Sequence, residues 1–219
     1  MNAKFSPLPL ETRNPFAFKY FVPHSGAIEA YSALLHNAND LIDKYKNTGA
    51  SEFSIFFLSG ALGSGKSHLA HAICDYMVER GLPRKCAEVF ELDSSLIGSN
   101  ASRFIDQYES MRAKQGMLIV CSAEPVTSYA QDPHIYSRLM SAWPITLYFP
   151  QEAEFQSVIQ SLLERRNMLL SDHAIAYLVR RLPLMPSCFS AIVNELDDLA
   201  LSEGKAPGER LLRQIVNDA

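Results

Sequence analysis

One eight-residue run constrains the fold of this chain more than any other feature. Residues 60–67 read Gly-Ala-Leu-Gly-Ser-Gly-Lys-Ser and match the pattern G-x-x-x-x-G-K-[S/T] in full. The run follows an apolar, β-leaning segment at 53–58 and opens a helical pattern at about 66–80. This strand–loop–helix context is the one in which the pattern binds phosphate. The sequence therefore predicts a phosphate-binding loop after the first core strand.

The chemistry expected of this loop follows from its residue types. Glycines let the backbone wrap a phosphate with its N–H groups pointing inward, and the next helix adds the positive end of its dipole. Lys66 would reach the β- and γ-phosphates, and the Ser67 hydroxyl would bind Mg²⁺. A glycine-rich turn without a ligand is the alternative. The expected contacts of the loop with a nucleotide come from Gly60, Ala61, Gly63, Ser64, Gly65, Lys66 and Ser67.

A second Mg²⁺-binding element is expected at the end of a neighbouring strand. Asp93 closes the apolar run at 89–92 and is the candidate, although it could also cap the helix that follows. Nucleotide hydrolysis usually needs a further carboxylate beside this Asp, and the next residues are Ser94 and Ser95. We therefore expect Mg²⁺ at Ser67 and Asp93, with slow or absent hydrolysis.

Strand and helix patterns alternate through the first two thirds of the chain. Four apolar runs predict strands, at 53–58, 87–92, 117–121 and 145–149. Strands that are apolar throughout and alternate with helices are typical of a parallel sheet covered on both faces. The sequence thus predicts an α/β fold.

Beyond residue 151 only helical patterns occur. Apolar residues recur there at helical spacing in four stretches, one of which follows a Ser171–Asp172 cap. We therefore expect three parts: an extended, non-helical segment at 1–24, a phosphate-binding α/β domain at 25–150 and a four-helix subdomain at 151–219.

Composition narrows the class of partner. The chain has 20 Lys and Arg against 24 Asp and Glu, a formal net charge of −4, so no basic surplus favours a nucleic-acid backbone. No apolar run reaches the roughly 18 residues of a membrane span, and the first residues lack the apolar stretch of a secretory signal. We expect a cytoplasmic protein without direct DNA binding or membrane contact.

The order of these parts resembles the AAA+ ATPases of the DnaA group. Phe-Lys-Tyr-Phe-Val at 18–22 resembles the F-x-x-F-V box that lines the adenine site, and Ser-His-Leu at 67–69 resembles the family's G-K-T-H-L run. Tyr-Ser-Arg-Leu at 136–139, followed by Trp143, resembles the segment that holds the arginine finger. Val-Arg-Arg-Leu at 179–182 resembles the end of the second lid helix.

The resemblance implies a P-loop AAA+ sheet of four to five parallel strands with a C-terminal all-α lid. The short stretch between Lys66 and Asp93 implies that one edge strand of the family is lost. ADP or ATP with Mg²⁺ would be the cofactors, and Val22 and His68 would add nucleotide contacts. Arg138 would be the catalytic finger, facing outward to act on a neighbour's ATP, although a solvated helix arginine is the alternative.

Other positions depart from the family pattern. The polar sensor after the third strand is replaced by Ala123, with Ser122 and Glu124 beside it. The third lid helix normally opens with an arginine that contacts the γ-phosphate, and here the matching stretch at 186–189 has no cation. Groups linked to hydrolysis are therefore missing, whereas the phosphate-binding loop and the finger remain.

Within this group the short chain resembles the Hda-like regulators of DnaA in bacterial replication initiation. Residues 5–10 are similar to the peptide by which such regulators dock on the DNA polymerase sliding clamp, and would use Leu8, Pro9 and Leu10. A tail that packs on its own domain is the alternative there, and homo-oligomers are open. Two other functions stay open: an active small P-loop ATPase or kinase, in which Glu91 or Glu124 supplies the carboxylate, and a helicase-loader-like AAA+ protein that handles single-stranded DNA.

Overall fold

Four parallel strands form the centre of the structure, a computed structural model that describes residues 16–93, 97–204 and 208–218. The strands are β1 (Ser54–Ser59), β2 (Ala87–Glu91), β3 (Met117–Cys121) and β4 (Trp143–Thr146). Their spatial order is β2-β3-β1-β4, so β1 and β3 are the central pair. This confirms the predicted α/β class with a four-stranded parallel sheet. Leu8, Pro9, Leu10, Ser94 and Ser95 lie outside the described residues.

Helices cover both faces of the sheet because β3 is apolar throughout and β1 is apolar between its two terminal serines. The helices of this part are α1 (Ile28–Thr48), α2 (Lys66–Glu79), α3 (Ile97–Ala113) and α4 (Pro133–Leu139). Successive side chains of β1 point to opposite faces. Phe56 and Leu58 join the core that α1 and α2 complete, whereas Ile55 and Phe57 join the core completed by α3 and α4.

The last strand differs in position from the prediction. The apolar run at 145–149 predicts this strand, but β4 already pairs with β1 from Trp143. The strand includes Pro144, which is tolerated because β4 is an edge strand and needs no backbone N–H donor at that position. Leu147 still donates to the Ser59 carbonyl at 2.8 Å. Tyr148 then donates to the Gly26 carbonyl at 2.9 Å. The chain therefore leaves the sheet to pair with the N-terminal segment.

The N-terminal segment also differs from the expectation. The prediction of a non-helical stretch is wrong at Phe18–Tyr20, which forms one turn of 3-10 helix. The turn places the Phe18 ring against Tyr31 of α1 and Tyr76 of α2, with ring centroids 5.6 and 4.8 Å away. Burial of these rings thus favours a turn where the sequence favours an extended chain.

Four helices follow the sheet: α5 (Phe155–Glu164), α6 (Asp172–Arg181), α7 (Pro186–Glu203) and α8 (Glu209–Asp218). They bury a hydrophobic cluster of their own, in which the rings of Phe155 and Phe189 lie 5.1 Å apart. Ser171 caps α6 by accepting from the Ala174 N–H at 3.2 Å. No helix in the described part of the chain is both long and apolar enough to cross a lipid bilayer.

The helical cluster gives a stability prediction. Phe189 is fully buried, so Phe189→Ala should lower the free energy of unfolding by about 3–5 kcal/mol through lost burial and the cavity left behind. Leu169→Ala is the matched control, because this side chain is 87% exposed and its loss should cost less than about 0.5 kcal/mol. Urea unfolding measures both, and equal effects would contradict the cluster.

Candidate functional site

A cleft of about 600 Å³ opens where the predicted phosphate-binding loop meets the ends of β2 and β3 and the helices α5 and α7. The carboxyl ends of parallel strands share one edge of the sheet, which is where such folds bind ligands. The loop contributes Gly63, Gly65, Lys66 and Ser67. The cleft therefore joins the sheet and the C-terminal helices around the motif that the sequence singled out.

The loop has a backbone shape that requires glycine. Gly60 and Gly63 adopt φ angles of 143° and 81°, in a region that disfavours side chains. A Cβ on Gly60 would collide with the Leu147 carbonyl, and one on Gly63 would lie 2.7 Å from Ser187 Oγ. The second contact shows that the first turn of α7 lies directly on the loop.

Lys66 begins α2 and is buried beneath the loop. Its Nζ donates to the carbonyls of Gly60 at 2.7 Å and Ala61 at 2.9 Å. Burial lowers the pKa of Lys66, and the nearby Cys121 and Glu91 oppose this shift. The ammonium group is thus held inside the loop, where a phosphate would gain a charged donor.

Acidic residues at the ends of the strands also line the cleft. Glu91 and Asp93 come from the end of β2 and Glu124 from the segment after β3, and Ser67 of α2 lines the same cleft. Within residues 16–93, 97–204 and 208–218, no three His, Cys, Asp or Glu side chains form a group that could hold a metal ion. Mg²⁺ at Ser67 and Asp93 would therefore need phosphate and water oxygens as its other ligands, as is usual for this ion.

Ser122, the residue before the expected sensor position at Ala123, makes hydrogen bonds within the fold. Ser122 Oγ and the Tyr129 hydroxyl are hydrogen-bonded at 2.6 Å, and Ser122 Oγ also accepts from the Glu124 N–H at 2.9 Å. The Tyr129 hydroxyl donates to the Leu92 carbonyl at 3.3 Å. Burial raises the pKa of Tyr129, so it stays a neutral phenol. This network connects the ends of β2 and β3.

A smaller cavity of about 80 Å³ adjoins the cleft on the side of the N-terminal segment. Val22 and His68, predicted as nucleotide contacts, both line it together with Ser64 and Gly65 of the loop. His24 lines it too and was missed by sequence analysis, because a single histidine after Pro23 carries no signal of its own. The structure thus brings the 18–22 run and the loop to one place.

Two histidine nitrogens in this cavity have unmet hydrogen-bonding capacity. Nδ1 of His24 and Nε2 of His68 are buried and make no hydrogen bond within the described part of the chain. Burial, reinforced by the charge of Arg165, lowers the pKa of His68 to about 4. Burial also lowers the pKa of His24, against the opposing charge of Glu154. Two neutral, unsatisfied imidazoles suit a ligand with polar edges, such as a nucleobase.

Arg138 lies elsewhere, on α4. Its Nη2 and Nε donate to Glu109 Oε1 at 2.7 and 3.3 Å, and Nη1 donates to the His134 carbonyl at 2.9 Å. The guanidinium also lies 5.3 Å from the centre of the Tyr108 ring, and the side chain is 22% exposed. The expected outward-facing side chain is therefore packed against α3. It does not line the cleft.

Several solved structures share the architecture of this chain. Domain III of the replication initiation protein DnaA from Thermotoga maritima superposes with a TM-score of 0.70 at 18% identity, covering 94% of this chain and 97% of that one. Replication initiator DnaA bound to AMPPCP and single-stranded DNA gives 0.62 at 15%, covering 89% and 70%. The Holliday junction branch migration motor RuvB of Thermotoga maritima gives 0.52 at 12%, covering 84% and 67%.

The fold is similar to that of DnaA domain III and of RuvB. No family model matches the sequence, and no curated protein matches it. The structural similarity therefore shows the fold, at identities too low to carry an activity from one chain to the other.

The low pKa of His68 predicts a pH dependence of stability. Between about pH 4 and the ordinary histidine pKa near 6.5, the unfolded chain binds a proton that the folded chain does not. Stability should therefore fall as the pH drops through this window, by at most about 1.4 kcal/mol per pH unit for this residue. Urea unfolding at pH 7 and pH 5 measures the loss.

His68→Gln should have a smaller loss than the wild type between these two pH values. The control is His134→Gln, which removes an exposed histidine of α4 and should retain the loss that the wild type shows. An unchanged pH dependence in His68→Gln would contradict the assignment of His68 as a buried neutral imidazole.

Proposed function

We propose that this chain binds ADP or ATP with Mg²⁺ and regulates DnaA in bacterial replication initiation, with weak or no hydrolysis of its own. The observation that carries the proposal is the complete phosphate-binding loop at a cleft that the helices after residue 150 close from above. Ser187 of α7 lies against Gly63, so the helical part contacts the loop that would hold the phosphates. The 151–219 part would then act as a lid.

Each expected nucleotide contact has a place in this proposal. The phosphates would lie against Gly63, Gly65 and Lys66, with Mg²⁺ between them, Ser67 and Asp93. The base would lie towards Val22 and His68. The structural neighbours lend support, because one is a DnaA bound to the ATP analogue AMPPCP.

Slow hydrolysis follows from what surrounds the loop. Ala123 offers no polar group at the strand end, and Ser122 is hydrogen-bonded to Tyr129 inside the fold. The first turn of α7 offers Pro186 and Ser187 and no cation. A single oriented base or charge is worth about 10²–10⁴ in rate, so losing these groups should leave little turnover.

One observation favours an active ATPase as the second candidate. Glu91 and Glu124 both line the cleft, so a carboxylate lies near the predicted phosphate site. A turnover on the order of one per second that Lys66→Ala abolishes would support this candidate over the regulator. Binding of single-stranded DNA remains a third candidate, which the net charge of −4 disfavours.

Partner binding through the first residues is part of the proposal. Leu8, Pro9 and Leu10 would fill a hydrophobic groove on the sliding clamp as an extended strand. Direct contact with DnaA would use an AAA+ face of this chain.

Nucleotide binding should depend on Lys66. A ligand at 100 times its Kd adds about 2.7 kcal/mol to stability, so ADP or ATP with Mg²⁺ should raise the melting temperature of the wild type. Lys66→Ala should abolish the rise, because the charged donor under the loop is lost. Lys85→Ala, which removes an exposed lysine of the same domain, should leave it intact. Absence of a rise in the wild type would contradict nucleotide binding.

Arg138 should act on ATP bound to DnaA. An arginine finger supplied in trans is worth about 10³–10⁵ in rate, so Arg138→Ala should remove stimulation of DnaA-bound ATP hydrolysis. The ion pair between Arg138 and Glu109 is partly exposed, so losing it should lower the free energy of unfolding by about 1 kcal/mol or less. Single-turnover hydrolysis with DnaA measures the stimulation.

Two variants on α3 sharpen this test. Arg112→Ala removes an exposed arginine of α3 and should stimulate as the wild type does. Glu109→Gln removes the carboxylate that holds Arg138, so stimulation should persist or increase. An Arg138→Ala protein that stimulates normally, or that unfolds, would show that Arg138 is a structural residue.

A further inference from the structure

One cation lines the cleft from the side of the helices and has no role in the phosphate-binding loop. Arg165 follows α5, and its N–H donates to the Ser161 carbonyl at 3.1 Å. Its side chain lines the same cleft as Lys66 and Ser67. No pattern in the sequence singled out Arg165, because a Glu-Arg-Arg run at a helix end is typical of a solvated surface.

Among the described residues, no carboxylate forms an ion pair with Arg165. Its neighbour Arg166 donates to Asp197 Oδ2 at 2.9 Å, whereas no carboxylate lies within ion-pair distance of Arg165 in the described ranges 16–93, 97–204 and 208–218. Burial lowers the pKa of Arg165, and the charge of Arg166 adds to this. A half-buried cation without a counterion is costly, and an anion bound in the cleft would offset that cost.

Arg165 and Lys66 together supply the positive charge that a bound anion would meet in the cleft. His68 beside it is neutral at pH 7, because its pKa is about 4. The α7 turn on the loop has no cation, so Lys66 and Arg165 are the cations among the cleft-lining residues. One comes from beneath the loop and the other from α5, on two sides of the space where phosphates would lie.

We propose that Arg165 binds the phosphate chain of the nucleotide from the lid. The inference rests on the proposed nucleotide binding and adds a binding residue to it. The planar guanidinium can donate two parallel hydrogen bonds to phosphate oxygens, which Lys66 as a point charge cannot do. Arg165 thus supplies from α5 a charge that the start of α7 does not provide.

The test compares phosphorylated and unphosphorylated ligands on four proteins. Dissociation constants for ATP, ADP and adenosine are measured by displacement of a fluorescent ADP from the wild type, Arg165→Ala, Arg165→Lys and Arg166→Ala. Arg165→Ala should weaken ATP and ADP by about 10- to 100-fold, the effect of one hydrogen bond to a charged group. Adenosine should bind the same, and Arg165→Lys should recover part of the loss.

The controls separate binding from folding. Arg166→Ala removes the adjacent arginine, which is ion-paired on the surface, and should bind all three ligands as the wild type does. Urea unfolding without ligand shows whether Arg165→Ala is folded. If Arg165→Ala does not fold, the affinities of Arg165→Lys for ATP, ADP and adenosine provide the test.

Two results would overturn the inference alone. One is wild-type affinity of Arg165→Ala for ADP and ATP. The other is an equal loss of affinity for adenosine, which would show that Arg165 supports the packing of the lid or the cavity for the base and does not bind phosphate. A wild type that binds no nucleotide would instead overturn the proposed function, together with the inference built on it.

Discussion

The close approach of α7 to the glycine loop is the contact on which the rest of the site depends. Gly63 has no side chain, its φ of 81° is one that glycine favours, and Ser187 occupies the space where a Cβ would be. On the other flank, the Leu147 carbonyl occupies the same kind of space beside Gly60. The loop is therefore held between the segment after β4 and the first turn of α7. Both flanking segments come from far along the chain, so the cleft exists only when sheet and helices are both in place.

Charge is divided across this cleft. Lys66 and Arg165 provide the cations, while Glu91, Asp93 and Glu124 gather at the strand ends. A nucleotide with its metal ion has the complementary arrangement, since the phosphates are anionic and the ion is cationic. The hydroxyl nearest the expected sensor position, in contrast, is bonded within the fold to Tyr129. This division of charge, and not a group placed to activate water, is the basis of the proposed nucleotide binding with little hydrolysis.

Much of the fold could be predicted from the sequence, because central parallel strands must be apolar on both faces. The run at 117–121 became β3 without any shift. The position of β4 was predicted two residues too late, because its pairing begins at the exposed Trp143 and Pro144, which do not belong to the apolar run. The turn at Phe18–Tyr20 was missed because ring contacts with α1 and α2 decide it.

The candidate site also contains residues that the sequence could predict and residues that it could not. The loop residues are contiguous in sequence, so a pattern identifies them, and the resemblance added Val22 and His68, which lie with the loop in the cavity. His24 and Arg165 reach the site only through tertiary packing, which no local pattern encodes. The Glu109–Arg138 ion pair joins residues from two helices and was equally invisible.

Hydrogen bonds join α5 and the residue before it to the N-terminal segment. Ser161 Oγ donates to the Tyr20 carbonyl at 2.6 Å, and Glu154 accepts from both the N–H and the hydroxyl of Ser25 at 2.7 Å. Rotation of α5 must break these bonds or carry residues 20–25 with it. Tyr20, Phe21, Val22 and His24 line the small cavity beside the loop, so a tilt of α5 would also change the shape of that cavity.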